Sequence, residues 1–496
     1  MNPLQQRYWG SFVLCGLICA LLQVLARSDS DGAATKRTVS AKLAGFQINY
    51  LSVFTLAMFS DWLQGPYVYE LYVSYGFSQA EIAELFVCGF ASSMLVGTFV
   101  GGLADKCGRK LMCVMYSVSY IAACFTKLVP EYWTLMLGRF LSGVSTSLLF
   151  SVFESWMVCE HNKQGFDGAS LGDTFSYATF GNGLCAVIAG LVANSAAHTY
   201  GYVAPFCIAI IPLALVAVIV SVTWTENYGE HGANATLLSS LQKGFDLVRK
   251  DSKIAALGLS QSCYEGAMYT FVFMWTPALK TDEELEAEAK SQPLPVSTAQ
   301  FLGLIFAVFM VCVMVGSSIY KIAAAERANV YKIPIVLHTV ALLSTLATTV
   351  LYESKFIVYV CFLVFETSVG VFYPAYGVIK SEKIPEEIRS SVMNIFRMPL
   401  NAFVVLLLLK IKYLSPHFVF GICTVAHIVS LLGYLYFYSS VRKTEFSYGL
   451  NAGGKKTPQR RLTTEDDEDD IDLSSDPEIQ REIQRAMSWN YKDQIV

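Results

Sequence analysis

The chain has 496 residues, of which 54% are hydrophobic and only 15% are charged, and its formal net charge at pH 7 is −4. A soluble domain averages about 25% charged residues, so this chain lacks the charge that a water-facing surface needs. The composition therefore argues against a cytosolic enzyme and a disordered scaffold. The negative net charge argues against a nucleic-acid partner, which calls for a basic stripe. What remains is a polytopic membrane protein.

Apolar stretches between charged residues predict one early membrane span and twelve further spans, since a helical span takes about 20 apolar residues. The early span covers Tyr8–Leu25. The twelve others cover about 47–72, 82–103, 111–129, 133–157, 172–194, 202–223, 254–279, 299–319, 333–352, 356–379, 390–411 and 416–438. The expected fold class is an all-α membrane protein.

The spacing of these spans predicts two six-helix bundles plus an N-terminal extra transmembrane segment, because a long polar link divides the twelve spans in half. The predicted parts are an anchor segment with a basic loop, an N-terminal bundle, a cytoplasmic linker, a C-terminal bundle and a cytoplasmic, acidic, disordered tail. They cover residues 1–44, 45–225, 226–252, 253–439 and 440–496 respectively.

The lysines and arginines of the loops predict the orientation, because cytoplasmic loops carry an excess of them. The loops on one side hold eighteen and those on the other side hold six. The richer side, which includes the C-terminus, is therefore expected in the cytoplasm. Cleavage at the signal-peptidase-like site Val24-Leu25-Ala26 would leave the four basic residues of Arg27–Lys42 outside, so an uncleaved anchor with its N-terminus outside is favoured.

A basic, glycine-containing loop follows the second of the twelve spans and reads GGLADKCGRK over residues 101–110. Its glycines allow a tight turn between two helix ends, its aspartate suits a helix N-terminus, and its cations hold the loop inside. The loop resembles the G-x3-D-[RK]-x-G-[RK]-[RK] loop of the major facilitator superfamily. The candidate gating residues are Gly101, Asp105, Lys106, Gly108, Arg109 and Lys110.

A second element of the same superfamily begins the fourth span, where Arg139-Phe140-Leu141-Ser142-Gly143 resembles the R-x3-G pattern. The resemblance also implies that Glu160, just past that span, faces the basic loop. We therefore expect Glu160 to pair with Arg109 or Lys106 in one transport state.

Four further stretches, at 60–69, 153–156, 271–277 and 394–400, resemble the molybdate-anion transporter branch of the superfamily. The similarity extends over most of residues 45–440 and includes the extra N-terminal segment, but not the acidic tail. The resemblance implies import of molybdate across the cell membrane by a multi-pass protein. It does not identify the residues that bind the anion, which have to be argued from charge.

Five ionisable residues lie inside predicted spans, where insertion of a charge costs about 2.5–3.5 kcal/mol and marks a pathway or a pair. They are Asp61, Arg139, Glu265, Glu366 and Arg397. Arg397 is the best anion ligand by chemistry, because its guanidinium stays charged and presents a planar fork to an oxyanion. A structural pair with Glu366 or Glu265 is the alternative. Arg139 is interpreted either as a second anion ligand or as a structural part of its pattern.

The three carboxylates among these residues, Asp61, Glu265 and Glu366, would repel an anionic substrate unless they were protonated or paired. They are therefore candidates for proton coupling, with Glu265 or Asp61 as the favoured carrier. Tyr67, Tyr69 and Gln64 lie near Asp61 in the chain and could donate hydrogen bonds to oxyanion oxygens. Ordinary helix packing is the alternative for each of them.

The sequence thus predicts a transporter that imports a small oxyanion by alternating access, with molybdate as substrate and proton coupling as a hypothesis. The alternatives are a carrier of a sugar or other organic solute, and a non-transporting sensor or scaffold whose acidic tail binds a protein partner. Enzyme activity is not expected, since no nucleophile–base pair or phosphate loop appears. No cofactor, metal site or nucleic-acid partner is predicted.

Overall fold

The computed structural model describes residues 3–28, 41–166, 168–228, 237–289, 297–326 and 329–451. These residues form α-helices joined by short turns, some of which are 3-10 turns. The helices are α1 (Pro3–Ser28), α2 (Ala41–Gln64), α3 (Val68–Ser74), α4 (Gln79–Cys107), α5 (Arg109–Thr126), α6 (Tyr132–Leu149), α7 (Val152–Lys163), α8 (Gly168–Tyr200), α9 (Ala204–Thr223), α10 (Leu237–Lys250), α11 (Ser252–Leu279), α12 (Asp282–Ala289), α13 (Leu302–Ala323), α14 (Ile333–Val350), α15 (Lys355–Lys383), α16 (Glu386–Leu409) and α17 (Pro416–Asn451).

Each of the thirteen predicted spans coincides with helical structure, so the all-α membrane fold class is confirmed. Eleven helical stretches in the described part of the chain are long and apolar enough to cross a membrane. The helices α5 and α11 are less apolar, because α5 begins with two cations and α11 is rich in polar residues. The helix α17 runs on to Asn451 instead of ending near 438.

The two ends of the helix bundle are distinguished by two turns. Gly76 lies between α3 and α4 and has a φ of 86°, whereas Gly108 lies between α4 and α5 and has a φ of 108°. Below, the end that holds the first turn is the Gly76 end, and the opposite end is the Gly108 end. The predicted orientation puts the Gly108 end in the cytoplasm.

Several helices begin at side chains that cap their free backbone N–H groups. Ser78 and Glu81 form a capping box at the start of α4. At the start of α6 the Glu131 carboxylate accepts from the backbone N–H groups of Trp133 and Thr134. Hydrogen bonds from Thr134 and Trp133 hold the pKa of Glu131 below its usual value. These caps define where the spans start at the Gly76 end.

Contacts between the first half of the chain, α2–α9, and the second half, α11–α17, run mainly through two helix pairs, α8 on α13 and α4 on α16. The first pair is close because two glycines face each other: a Cβ on Gly303 would lie 2.4 Å from the Gly190 carbonyl oxygen. Tyr67 joins both helices, since its hydroxyl lies 3.2 Å from Asn194 Oδ1 and accepts from the Gly303 N–H at 3.2 Å.

A buried ion pair joins the two halves at the Gly76 end. Lys280 Nζ lies 2.8 Å from Glu70 Oε2, and both side chains are less than 10% exposed. Glu70 is on α3 and Lys280 follows α11. Beside this pair the Tyr69 ring packs edge-on against Phe273 of α11. The Gly76 end is therefore closed in this conformation.

The extra N-terminal helix α1 packs on the second half, mainly on α13. The Tyr8 ring contacts Phe301 and Tyr359, while near the other end of α1 the Gln23 amide donates to Ser318 Oγ at 2.8 Å. The helix α1 thus runs in the same direction as α13, with its N-terminus at the Gly76 end. This is the direction expected of an anchor whose N-terminus lies opposite to the Gly108 end.

Candidate functional site

The loop at Gly108 is built around a carboxylate that sequence reasoning had placed in the linker. Glu226 accepts hydrogen bonds from the backbone N–H groups of Lys110 at 2.8 Å and Leu111 at 3.2 Å, the first free donors of α5. A Cβ on Gly108 would lie 2.5 Å from the carboxyl carbon of Glu226, so a glycine is needed for space as well as for its positive φ. Arg109 N–H also donates to the Asn227 carbonyl at 3.0 Å.

The other predicted gating residues are only partly described. Gly101 and Asp105 are on α4, but their side chains lie outside the described residues, and Lys106 is exposed. Arg109 donates from Nη1 to the Ser155 carbonyl at 3.3 Å. In this conformation Glu160 bonds instead to Gln164 and Thr225, both at 3.0 Å. Its pairing with Arg109 or Lys106 in another transport state stays a prediction.

Arg139 lies in a contact between α6 and α4. Its guanidinium carbon is 4.6 Å from the centre of the Phe86 ring, and its Nε donates to the Leu85 carbonyl at 3.3 Å. The flat group also covers Gly89, where a Cβ would lie 2.8 Å from Nη2. Gly143 packs against the same carbonyl-bearing face of α4, so both members of the R-x3-G pattern hold α6 on α4.

Asp61 lies in the first half, where the Tyr120 hydroxyl donates to its Oδ1 at 2.5 Å. The three polar residues predicted near it face elsewhere. Gln64 is buried and donates to the Ser60 carbonyl at 3.2 Å. Tyr67 contacts α8 and α13, and Tyr69 packs on Phe273, as described above. The structure therefore brings Asp61 together with Tyr120 rather than with those three side chains.

A second group of charged residues converges from three helices of the second half. Glu265 of α11 interacts electrostatically with Lys380 of α15 and with Arg397 of α16. Gln261, one turn before Glu265, donates from Nε2 to Glu265 Oε2 at 3.3 Å. We call these four residues, Gln261, Glu265, Lys380 and Arg397, the C-half charge cluster.

Hydrogen bonds between helices hold the backbone around the C-half charge cluster. Ser262 Oγ lies 2.7 Å from the carbonyl of Phe396, the residue before Arg397. On the other side, Tyr376, one turn before Lys380, has its hydroxyl 2.6 Å from Ser260 Oγ. Both contacts fall on the α11 turn that carries Gln261. The hydrogen bonds of this turn therefore fix the positions of α15 and α16 along the axis of α11, relative to Glu265.

Glu366 is separate from the C-half charge cluster in its surroundings, although it is on the same helix as Lys380. It is 7% exposed, and among the described residues no hydrogen bond or ion pair reaches its carboxylate. It acts electrostatically on Tyr264 and Tyr373, which also interact with Glu265. The structure thus does not bring Glu366 into a pair with Arg397.

Sequence reasoning missed three members of these sites. Lys380 falls in the last turn of α15, and the charge count assigned it to a cytoplasmic loop. Gln261 and Glu226 drew no attention because a single amide or a linker carboxylate carries no pattern. No group of His, Cys, Asp and Glu in the described part of the chain has the geometry of a metal site.

Comparisons with known proteins give the family of the chain. The family described as sugar transporters with 12 TM segments matches residues 7–366. The molybdate-anion transporter of Xenopus tropicalis is 31% identical over 446 residues, which is 87% of this chain and 94% of that protein. The molybdate-anion transporter of Takifugu rubripes is 32% identical over 424 residues, which is 79% of this chain and 85% of that protein.

Solved structures with the same fold are transporters of low sequence identity. A mutant of the nucleoside transporter NupG aligns with a TM-score of 0.61 and 13% identity, covering 79% of this chain and 98% of that one. A bacterial homologue of the human lysosomal transporter Spinster aligns with a TM-score of 0.60 and 12% identity, covering 82% and 98%. These similarities concern the fold alone.

Proposed function

Because the chain belongs to the molybdate-anion transporter family within the twelve-span major facilitator proteins, we propose that it carries molybdate across a membrane by alternating access. Molybdate is a small tetrahedral dianion, and cationic ligands stabilise such an anion at bilayer depth. The convergence of Arg397 and Lys380 beside Glu265 is the observation that supports this substrate best. A carrier of neutral sugars has no need for two cations at such cost.

Alternating access requires the two halves to rock about a site between them. In the proposed mechanism the halves 45–225 and 253–439 are the moving bodies, linked by 226–252. The buried Glu70–Lys280 pair closes the Gly76 end, which leaves the Gly108 end as the side of release in this conformation. The excess of loop cations around the Gly108 end supports a cytoplasmic location for it and for the C-terminus, in the cell membrane.

Arg397 is the proposed anion ligand of this mechanism, and Asp61 and Glu265 are the proposed proton carriers. Arg397 is exposed and its guanidinium offers an oxyanion two parallel N–H donors. The packing of Arg139 on Phe86 and Gly89 supports a structural role for Arg139 rather than a role as a second anion ligand. The hydrogen bond of Gln64 within α2 and the contacts of Tyr67 with α8 and α13 support a role in helix packing for both residues. Residues 440–451 of the predicted disordered tail are helical, as the end of α17, and the acidic part beyond them, as a site for a protein partner, lies outside the described residues.

The experiment measures molybdenum in cells by elemental mass spectrometry, at nanomolar molybdate and excess sulfate. We expect accumulation with the full chain, and a loss of about tenfold or more with Arg397→Ala, since a charge-assisted bidentate contact is worth about 1.5–3 kcal/mol. Arg397→Lys is the matched control, which keeps the charge but loses the fork and retains an intermediate rate. A surface-expressed protein that accumulates no molybdenum would contradict the proposed substrate.

A further inference from the structure

We propose that Lys380 is a second cationic ligand of the transported anion, that Glu265 is the counter-charge of Lys380 when no anion is bound, and that Gln261 bonds Glu265 in both of its protonation states. The inference rests on the proposed function and adds residues and a charge balance to it.

The helix directions explain why Lys380 reaches the cluster from the last turn of α15. Side chains lean toward the N-terminus of their own helix. The helix α11 starts at the Gly108 end, so Glu265 leans toward that end. The helix α15 starts at the Gly76 end, so Lys380 leans back into the bundle. The two side chains therefore approach each other at the turn that carries Gln261.

Arg397 reaches the same level from the third helix. The helix α16 starts at the Gly108 end, and the Phe396 carbonyl is anchored to Ser262 at 2.7 Å. Arg397 thus lies beside the same turn of α11 as Lys380. Two cations and one carboxylate meet at this level, and each acts electrostatically on the others. Without an anion the carboxylate offsets part of the positive charge.

The charges of the cluster fully balance a dianion only when Glu265 is protonated. With Glu265 ionised the three groups carry a net charge of about +1, and with Glu265 neutral they carry about +2, which matches a doubly charged tetrahedral oxyanion. A proton taken up by Glu265 with the anion therefore keeps the site electrically balanced. The same proton leaves from Glu265 when the anion is released at the other side.

Gln261 can accommodate this change of charge. It is 2% exposed, its Nε2 donates to Glu265, and its Oε1 has no hydrogen-bond partner in the described part of the chain. A buried acceptor without a donor is costly. When Glu265 is protonated, a half-turn of the amide presents Oε1 as the acceptor for the carboxyl O–H. Each orientation of the amide thus suits one protonation state.

The other titratable groups that face Glu265 do not compete for this proton between pH 5 and 8. Among the described residues outside the cluster, the groups that interact electrostatically with Glu265 are the tyrosines Tyr264, Tyr269, Tyr373 and Tyr376. Three of their hydroxyls lie beside Ser368, Met268 and Ser260. Tyrosine and lysine ordinarily titrate near pH 10 and arginine above about pH 12, so neither these tyrosines nor Lys380 and Arg397 ordinarily exchange a proton in this range, and Glu265 is the group of the cluster that does.

The test uses the purified full chain in proteoliposomes and follows uptake of radioactive molybdate at outside pH 5.5 and 7.5. For Lys380→Gln we expect the KM for molybdate to rise tenfold or more, with Lys380→Arg intermediate. Lys383→Gln is the matched control, since Lys383 is on the same helix and lies 5.2 Å from the Tyr331 ring instead of the cluster. It should transport like the unmodified protein.

The variant Glu265→Gln tests the proton. It should still bind molybdate, measured by isothermal titration, but its uptake should lose the pH dependence that the unmodified protein shows. Equal KM values for Lys380→Gln and Lys383→Gln, or an unchanged pH dependence in Glu265→Gln, would overturn this inference while leaving the proposed function standing. An unmodified protein that carries no molybdate at either pH would overturn both.

Discussion

At the scale of single residues, two features of the structure require a glycine at position 108: its backbone conformation and the closeness of a neighbouring carboxylate. Its φ of 108° is unfavourable for any residue with a side chain, and a Cβ there would lie only 2.5 Å from the carboxyl carbon of Glu226. The same carboxylate caps the start of α5. The glycine and the glutamate are therefore linked, although they are far apart in the chain.

We predict that Gly108→Ala lowers the stability of the protein by about 2–4 kcal/mol, as the sum of backbone strain and a displaced helix cap. The measurement is thermal unfolding of the detergent-solubilised protein. Gly165→Ala is the matched control: its φ is also positive, at 74°, but a Cβ there meets nothing within 4 Å. Equal losses of stability in the two variants would show that Glu226 contributes nothing.

The sequence predicted the residues that carry a motif or a charge, and it failed where a contact joins distant parts of the chain. The stretch 101–110 was singled out by its resemblance to the superfamily motif and Arg397 by its charge inside a span, and their roles stay predictions. The structure puts residues 101–107 on α4 and leaves Gly108 as the turn. Glu226 was not singled out, because its partner Lys110 is 116 residues away and only the fold brings the two together. Lys380 was assigned to a loop, because a count of charges cannot show that a side chain leans back into the bundle.

At the scale of elements, the polar helices α5 and α11 follow from what they contact. Each was predicted as a span from an apolar stretch between charged residues, although neither is among the eleven described helical stretches that are apolar enough to cross a membrane. The helix α11 packs on α15 and α16 and carries two members of the C-half charge cluster. Its polar residues thus face other helices. The sequence predicted where α11 lies, whereas its partners depend on the folded arrangement.

The docking of α1 on α13 predicts a specific cross-link. Cys15 Sγ and Cys312 Sγ lie 3.9 Å apart, and both thiols are free. With a protease site inserted in residues 29–40, oxidation by copper phenanthroline should keep the two fragments together on a non-reducing gel after cleavage. Cys15→Ser should abolish the band. Fragments that separate despite oxidation would contradict the packing of α1 on α13.

At the scale of the whole molecule, the two halves are held together at the Gly76 end by Tyr67, the Gly190–Gly303 contact and the Glu70–Lys280 pair. Rocking to the other conformation requires these contacts to separate. The ion pair is well suited to this, because charges regain hydration when they are exposed. The closure of the Gly76 end is therefore stable but can be reversed.

We predict that tethering the halves at this pair stops transport. In Glu70→Cys/Lys280→Cys a short bifunctional thiosulfonate reagent should bridge the two positions and abolish molybdate uptake, and a reducing agent should restore it. Each single cysteine variant treated with the same reagent is the control and should keep its uncross-linked rate. Uptake that persists in the bridged protein would show that these positions do not separate during transport.

The position of α1 also constrains how the protein is made. Cys15 and Cys312 are 297 residues apart, so at about 5–20 residues per second a ribosome needs about 15–60 s to reach α13 after α1. During that time α1 has to persist in the bilayer without its partner. Its surface allows this, since Leu17 and Val24 are still 66% and 64% exposed after docking. Helix α1 is thus made well before the helix it packs on, and a chain that stops short of α13 would leave α1 without that partner.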